Sequence, residues 1–193
     1  MSISLVLAGC GKMGGALLDG WLARGMRADE VAVVEPNAAQ AEAAAGRLGR
    51  KVHARPAELG AGVRPDVVVF AVKPQVMDDV APAYRRFAGP GTVFLSIAAG
   101  KTIGYFAEKL GGEAAIVRAM PNMPAAVGRG ITGACANPRV SAPARRRCQD
   151  LLEAVGEVMW CEDESVIDAV TAVSGSGPAY VFLLAECLAE AGI

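Results

Sequence analysis

Residues 3–14 read ISLVLAGCGKMG, and this stretch decides the fold. The apolar run Ile3–Ala8 predicts a buried strand, and Gly9–Gly14 follows it with glycines in the pattern G-x-G-x-x-G. Apolar residues then recur at four-residue spacing from Met13 to Trp21, which predicts a helix. A strand, a glycine turn and a helix in this order predict the first half of a βαβ unit that holds a dinucleotide.

Each glycine of this turn has its own physical role. Gly9 permits the tight turn, Gly11 lets the backbone approach a pyrophosphate, and Gly14 lets the helix pack closely on the strand. The phosphates would then face free N–H groups at the positive end of the helix. The alternative interpretation is that these glycines only form a turn.

Glu35 bears on the choice of cofactor. It ends a second predicted strand, Val31–Glu35, 21 residues after the last glycine of the turn. A carboxylate at this place accepts hydrogen bonds from the adenosine ribose of NAD and repels the 2′-phosphate of NADP. The side chain can also rotate away, or a distant arginine can fold in, so NAD is favoured and NADP stays open.

Strand and helix patterns continue to alternate as far as about residue 160. They predict an α/β fold of the Rossmann type, a doubly wound and mainly parallel sheet with helices on both faces. Lys73 and Ser96–Gly100 follow two of the strands, so we expect them at the carboxyl edge, where such sheets bind ligands. Further predicted elements are strands at Lys51–His53, Asp66–Val72, Thr92–Ile97 and Ala114–Ala119, and a helix at Pro74–Phe87 that Pro82 disfavours.

The last part of the chain has a different character. Residues 1–160 are predicted to form the dinucleotide-binding domain, and residues 161–193 the start of a second, helical one. Ser174–Gly177 is predicted to be a turn that begins a helix at Pro178, where converging N–H and hydroxyl groups could hold a carboxylate. An ordinary helix start is the alternative. The helix Pro178–Ala191 is apolar almost all round, so we expect a partner or further chain to cover it.

Composition excludes several classes of function. Hydrophobic residues make up 53% of the 193, but 37 are alanines, and no run of consecutive apolar residues approaches the ~18 of a membrane span. The formal charge of −1 disfavours a nucleic-acid partner. The five cysteines form no C-x-x-C pair, so no metal site is expected, and the chain fits the reducing cytoplasm. His53 is the one histidine, which excludes a hydrolytic triad.

Five motifs in order then resemble the pyrroline-5-carboxylate reductase family. The resemblance covers nearly the whole chain, and the conjunction is far more specific than the glycine motif alone. The motifs are Gly9–Gly14, Ala71-Val72-Lys73-Pro74, Ser96-Ile97-Ala98-Ala99-Gly100, Arg118-Ala119-Met120-Pro121-Asn122-Met123-Pro124 and Val173-Ser174-Gly175-Ser176-Gly177-Pro178-Ala179-Tyr180.

This resemblance implies hydride transfer from NADPH or NADH to 1-pyrroline-5-carboxylate, giving L-proline, in a homodimer or a larger assembly of dimers. It places Ser174, Gly175, Ser176 and Gly177 at the substrate and identifies no catalytic residue. With Gly14 and Glu35 from the fingerprint, the expected cofactor residues are Ala8, Gly9, Cys10, Gly11, Lys12, Met13, Gly14, Glu35, Ala71, Val72, Lys73, Pro74, Ile97, Ala98, Ala99 and Asn122.

Two departures from the family pattern affect these expectations. Met123 stands where family members carry threonine. Family chains also continue into an all-helical dimerisation domain with a further substrate-binding segment, so residues 161–193 are expected to be only the first part of that domain. A related 3-hydroxyacid or imine reductase, and a nucleotide-binding module without turnover, therefore remain as alternatives.

Overall fold

Seven short strands form one sheet, and the computed structural model describes residues 4–192. The strands are β1 (Leu5–Ala8), β2 (Val31–Val34), β3 (Val67–Phe70), β4 (Val93–Ser96), β5 (Ala115–Met120), β6 (Gly130–Ala136) and β7 (Gly156–Trp160). Their order across the sheet is β2-β1-β3-β4-β5-β6-β7. Neighbours are parallel except for β5 and β6, which are antiparallel. The predicted fold class, a mainly parallel Rossmann-type sheet, is confirmed.

Helices cover both faces of the sheet. Those described are α1 (Lys12–Ala23), α2 (Ala38–Leu48), α3 (Met77–Val80), α4 (Ile103–Leu110), α5 (Ala142–Glu153), α6 (Val166–Val170) and α7 (Gly177–Ala191). Side chains from α1, α2 and α5 pack on one face, and those from α3 and α4 on the other. This arrangement leaves the carboxyl ends of the parallel strands free to form a site.

The two cores follow from the two-residue period of the strands. In β1, Leu5 and Leu7 enter one core, whereas Val6 and Ala8 enter the other. The second core is built around Phe70, whose ring lies 5.3 Å from that of Tyr84 and 5.4 Å from that of Phe106 between centroids. Because both faces are covered there, β1 to β4 are buried throughout and have nearly continuous apolar sequences, whereas the edge strand β7 alternates in exposure.

Some predicted elements differ from the observed ones. Pro74–Phe87 is not one helix, because Pro82 cannot donate a backbone hydrogen bond, and the segment divides into α3 between two 3₁₀ turns. The short strand at Lys51–His53 is reduced to a single parallel bridge between His53 and Val34. Ile3, predicted in β1, lies outside the described residues.

The turn predicted at Ser174–Gly177 is also absent. The chain instead forms one long helix, Val166–Ala191, interrupted by a π-helical turn at Thr171–Gly175. By length and composition this helix could cross a membrane, with a mean hydropathy of 1.3 in its most apolar window. Only 6% of that window is buried in the chain, as the sequence led us to expect for a helix in need of a partner. The domain boundary near residue 160 stays a prediction.

Candidate functional site

The glycine turn between β1 and α1 is closely packed on its inner side and open on its outer side. Gly9 has φ of +89°, a conformation that favours glycine. A Cβ at Gly14 would collide with the Gly9 carbonyl oxygen, so the helix can approach the turn only because this residue is glycine. A Cβ at Gly11 would meet nothing nearer than Gln40 Oε1 at 3.7 Å. The open side of the turn therefore leaves space for a ligand.

The first turn of α1 has free capacity for an anion. Gly11 occupies the N-cap position and no side chain caps the helix. The first intrahelical bond is donated by the Gly15 N–H to the Gly11 carbonyl, at 2.8 Å. The N–H groups that precede Gly15 thus face outward from the helix end, where its dipole favours negative charge. This backbone fits a pyrophosphate.

Glu35 holds the glycine turn in place. The residue is only 6% exposed. Its Oε2 accepts a hydrogen bond from the Cys10 N–H at 2.7 Å, and its Oε1 accepts one from the Asn37 N–H at 2.9 Å. Sequence reasoning assigned this carboxylate to the cofactor ribose and missed its bond to the turn. Each carboxylate oxygen has a second lone pair, so a ribose hydroxyl could still donate to it.

The loops after β3 and β4 reach the same edge of the sheet as the glycine turn. Ala71 N–H donates to the Ala8 carbonyl at 2.8 Å, and Ile97 N–H donates to the Phe70 carbonyl at 3.1 Å. The Val72 side chain packs against Gly9. The structure therefore brings Ala71–Pro74 beside the turn and Ile97–Ala99 beside the end of β3 at the same edge, although the Lys73 side chain is exposed.

Ser96 and Cys10 contribute no charge to this edge. Ser96 is 1% exposed, and its Oγ accepts a hydrogen bond from the Ala98 N–H at 3.2 Å, which shapes the loop after β4. Burial raises the pKa of the Cys10 thiol to about 11, so the thiol is neutral at physiological pH. A neutral side chain at Cys10 leaves the positive helix end available to an anion.

Asn122 joins the predicted cofactor and substrate segments. Its Oδ1 accepts a hydrogen bond from the Ile131 N–H at 3.0 Å, so its Nδ2 must face the other way. That Nδ2 donates to Ser174 Oγ at 3.0 Å. Since Ser174 Oγ accepts here, its own hydrogen is free to be donated elsewhere. Asn122 thereby leaves the Ser174 hydroxyl hydrogen available for a further acceptor.

The π-helical turn sets the position of Ser174. Within this turn the Ser176 N–H donates to the Thr171 carbonyl at 2.9 Å, five residues back. Pro178 has no N–H to donate to the Ser174 carbonyl, which explains why the regular helix is interrupted here. The predicted cradle of N–H groups at a free helix start is wrong, because Ser176 has helical dihedral angles and the helix continues through it. Such π turns frequently lie at functional sites.

An ion cluster beside this turn, with a buried arginine, a half-buried glutamate and an exposed aspartate, escaped the sequence analysis. Arg118 in β5 is 2% exposed, and its guanidinium donates to Glu164 Oε1 at 3.1 Å and to Asp168 Oδ1 at 2.7 Å. The signal was available, because an arginine in the middle of an apolar strand of a covered sheet requires a charged partner. Within residues 4–192 no group of His, Cys, Asp and Glu side chains could hold a metal ion.

Comparisons with known proteins agree with this geometry. Residues 4–100 match the family described as "NADP oxidoreductase coenzyme F420-dependent", and residues 164–193 match "Pyrroline-5-carboxylate reductase dimerisation". A pyrroline-5-carboxylate reductase of Pseudomonas aeruginosa is 41% identical over 97% of this chain and 68% of its own length.

Solved structures give the same result. The pyrroline-5-carboxylate reductase of Coxiella burnetii is 30% identical, with a TM-score of 0.87 over 100% of this chain and 71% of that one. The Plasmodium falciparum pyrroline carboxylate reductase, solved with NADP bound, is also 30% identical, with a TM-score of 0.81 over 98% of this chain and 69% of that one. On the identity and coverage of these relatives, the chain belongs to the pyrroline-5-carboxylate reductase family.

Proposed function

We propose that this chain reduces 1-pyrroline-5-carboxylate to L-proline, with NADH or NADPH as hydride donor. The observation that supports this most directly is the hydrogen bond between Asn122 and Ser174. It joins the edge of the sheet that fits a dinucleotide to the helical segment assigned to the substrate. A hydride donor and its acceptor need this adjacency, because the reacting atoms must approach to about 3–3.5 Å.

The cofactor is assigned to the carboxyl edge of the sheet. The open side of the glycine turn and the uncapped first turn of α1 would bind its pyrophosphate. Glu35 would accept a hydrogen bond from the ribose, and Ala71–Pro74, Ile97–Ala99 and Asn122 would line the remaining path. When bound, the reduced nicotinamide supplies a hydride.

The substrate carboxylate is assigned to the π-helical turn. The hydrogen bond from Asn122 leaves the Ser174 hydroxyl hydrogen available to the carboxylate, and Gly177, which has nothing within 4 Å of a Cβ position, leaves room for a ring to approach. The protonated imine carbon is already electrophilic, so it accepts the hydride while the C=N π electrons move to nitrogen and produce the ring amine. Positioning then suffices for catalysis, and the chain needs no covalent nucleophile.

The exposed surface of α7 is assigned to a second copy of the chain. Phe182, Leu183, Leu184 and Leu188 are each about 60% exposed, far above the exposure of ordinary apolar residues in a globular chain. The match of residues 164–193 to a dimerisation family supports a homodimer or an assembly of dimers. It also supports α7 as a subunit contact rather than a membrane span. We further propose that the enzyme is cytoplasmic and has no nucleic-acid or membrane partner.

Turnover by the full-length protein tests the proposal. We expect NADPH or NADH oxidation, followed at 340 nm, to depend on added 1-pyrroline-5-carboxylate and to yield proline. Ser174→Ala removes a charge-assisted hydrogen bond and should lower kcat/KM roughly 10- to 100-fold. Ser165→Ala is the matched control, because Ser165 is exposed at the start of the same helix.

The competing functions give different results in the same assay. Oxidation of a 3-hydroxy acid with NAD or NADP, without imine reduction, would identify a 3-hydroxyacid dehydrogenase. Cofactor binding by calorimetry without any turnover would identify a nucleotide-binding module. Either outcome rejects the proposed reaction.

A further inference from the structure

The helical segment that carries Ser174 is docked on the sheet through one face of β5 and β6. Arg118 and Met120 are two residues apart in β5 and so point to the same face. Met120 pairs in register with Gly133 of β6, and the Val170 side chain would lie 3.0 Å from a Cβ at Gly133. Met120 itself fills the space in which a Gly175 Cβ would stand. The segment therefore packs so closely on this face that neither Gly133 nor Gly175 has space for a Cβ.

Arg118 makes the charged contacts between this face of the sheet and the helical segment. Its side chain is 3% exposed, and it bonds two carboxylates, that of Glu164 just before α6 and that of Asp168, an exposed side chain within α6. Glu164 Oε1 also accepts a hydrogen bond from the Ile103 N–H at 2.7 Å. Ile103 begins α4, directly after the loop that contains Ile97–Ala99. One guanidinium thus connects the start of the substrate helix to both β5 and the cofactor edge.

We propose that Arg118 is a positioning residue that sets the distance between the bound substrate and the cofactor. It touches neither ligand and acts through α6, whose orientation determines where Ser174 lies. The inference rests on the proposed function, since it concerns the same site. The planar guanidinium forks to two acceptors at fixed geometry, which an ammonium cannot reproduce. Lysine at this position retains the charge but loses the geometry.

The prediction separates positioning from stability. In Arg118→Lys the groups that bind each ligand remain intact, so cofactor Kd should stay within about twofold, whereas the hydride-transfer rate constant should fall. A displacement of 1 Å between reacting groups can cost ~10²-fold in rate, and we expect a loss of at least about tenfold. The control is Arg139→Lys, which alters an ion pair with Glu113 between the loop after β6 and the loop before β5.

Single-turnover kinetics on the full-length protein measure this effect. NADPH oxidation is followed after mixing the preformed enzyme–NADPH complex with saturating 1-pyrroline-5-carboxylate. The amplitude reports the fraction of active enzyme, and the first-order rate constant is independent of that fraction. A slower rate constant with unchanged NADPH affinity supports the inference. A normal rate constant with reduced amplitude, or an equal loss of NADPH affinity, overturns it.

A second variant and a hydrogen-exchange measurement test the inference if Arg118→Lys does not fold or if the wild-type protein shows no turnover. Gly133→Ala introduces a Cβ against Val170 and shifts the same helix without touching a charge, so it should reproduce the slow rate constant. If Arg118→Lys does not fold, a normal rate constant in Gly133→Ala rejects the positioning role. Hydrogen exchange of the amides in residues 164–175 should accelerate in Arg118→Lys, and this readout holds even if the wild-type protein shows no turnover. Unchanged exchange there overturns the inference, while absent wild-type turnover alone rejects only the proposed reaction.

Discussion

Replacing Glu35 by glutamine tests both roles of this residue. The carboxylate is nearly buried and accepts hydrogen bonds from the N–H groups of Cys10 and Asn37. Glutamine has the same shape, keeps one acceptor oxygen and replaces the other with an NH₂ group that faces a backbone donor. The substitution therefore removes the negative charge and one of the two hydrogen bonds, while the space remains filled.

The expected magnitudes follow from these contacts. A hydrogen bond to a charged group contributes about 1.5–3 kcal/mol, so Glu35→Gln should lower the free energy of unfolding by that amount. The charge also acts on the 2′-phosphate of NADPH and not on NADH. Like charges about 4 Å apart in water repel by about 1 kcal/mol, which is roughly fivefold in affinity, and by more in the partly buried setting. The ratio of NADPH to NADH affinity should rise at least fivefold.

Two measurements check the prediction. Urea unfolding gives the stability, and quenching of tryptophan fluorescence gives the dissociation constants of both cofactors. Glu58→Gln is the matched control, because Glu58 Oε2 also accepts from a backbone N–H, that of Ala54, away from the glycine turn. The control should lose some stability without a change in cofactor preference. An unchanged NADPH to NADH ratio in Glu35→Gln would refute the reasoning that this carboxylate faces the ribose.

Three further predictions concern the glycine turn, the exposed helix and the cysteines. Gly14→Ala should abolish cofactor binding in calorimetry or prevent folding. In Gly46→Ala the new Cβ would have nothing within 4 Å, so the melting temperature should rise slightly. The packing argument would be contradicted if the two variants had the same stability and the same cofactor affinity. Leu184→Asp should shift the protein from dimer to monomer in analytical ultracentrifugation. The reason is that burying one leucine in an interface contributes about 1.5–3 kcal/mol. An intact dimer would place the interface elsewhere. Iodoacetamide at pH 8 should spare Cys10, because its raised pKa of about 11 leaves only about one thousandth of the thiol as thiolate at that pH, and labelling should accelerate about tenfold for each pH unit towards 11. Cys187, which is exposed in the single chain, should react in the monomer and be protected in the dimer. Rapid labelling of Cys10 at pH 8 would show that the turn opens.

Much of the fold could be predicted because its signals are local. The run before Gly9, the glycine spacing and the apolar strand at Asp66–Val72 each specify an element within a few residues. The π-helical turn could not be predicted in this way. Ser-Gly-Ser-Gly-Pro is typical of a turn by composition, but docking on Met120 and Gly133 holds the same residues in a continuous helix. Tertiary packing overrode local preference there.

In the candidate site, too, the local features could be predicted from the sequence and the long-range contacts could not. The spacing of residues predicted which loops meet at the carboxyl edge, because parallel strands place their ends together. It could not predict which polar atoms are already used, since Cys10 and Glu35 are 25 residues apart and Asn122 and Ser174 are 52 apart. Hydrogen-bond partners at such separations depend on the finished fold. The same holds for Arg118, whose carboxylates follow it by 46 and 50 residues.

These contacts explain how ordinary polar residues can serve a reaction that needs no nucleophile. Glu35 accepts hydrogen bonds from the backbone N–H groups of Cys10 and Asn37, and so holds the loops around it. Asn122 Oδ1 accepts one from the Ile131 N–H. These backbone hydrogen bonds determine which polar atoms are left to bind a ligand. Because Asn122 Oδ1 is occupied, its Nδ2 faces Ser174, and because Ser174 Oγ accepts, its hydroxyl hydrogen is the one left to donate. The proposed contact between Ser174 and a substrate carboxylate therefore depends on the Ile131 N–H, which lies outside that contact.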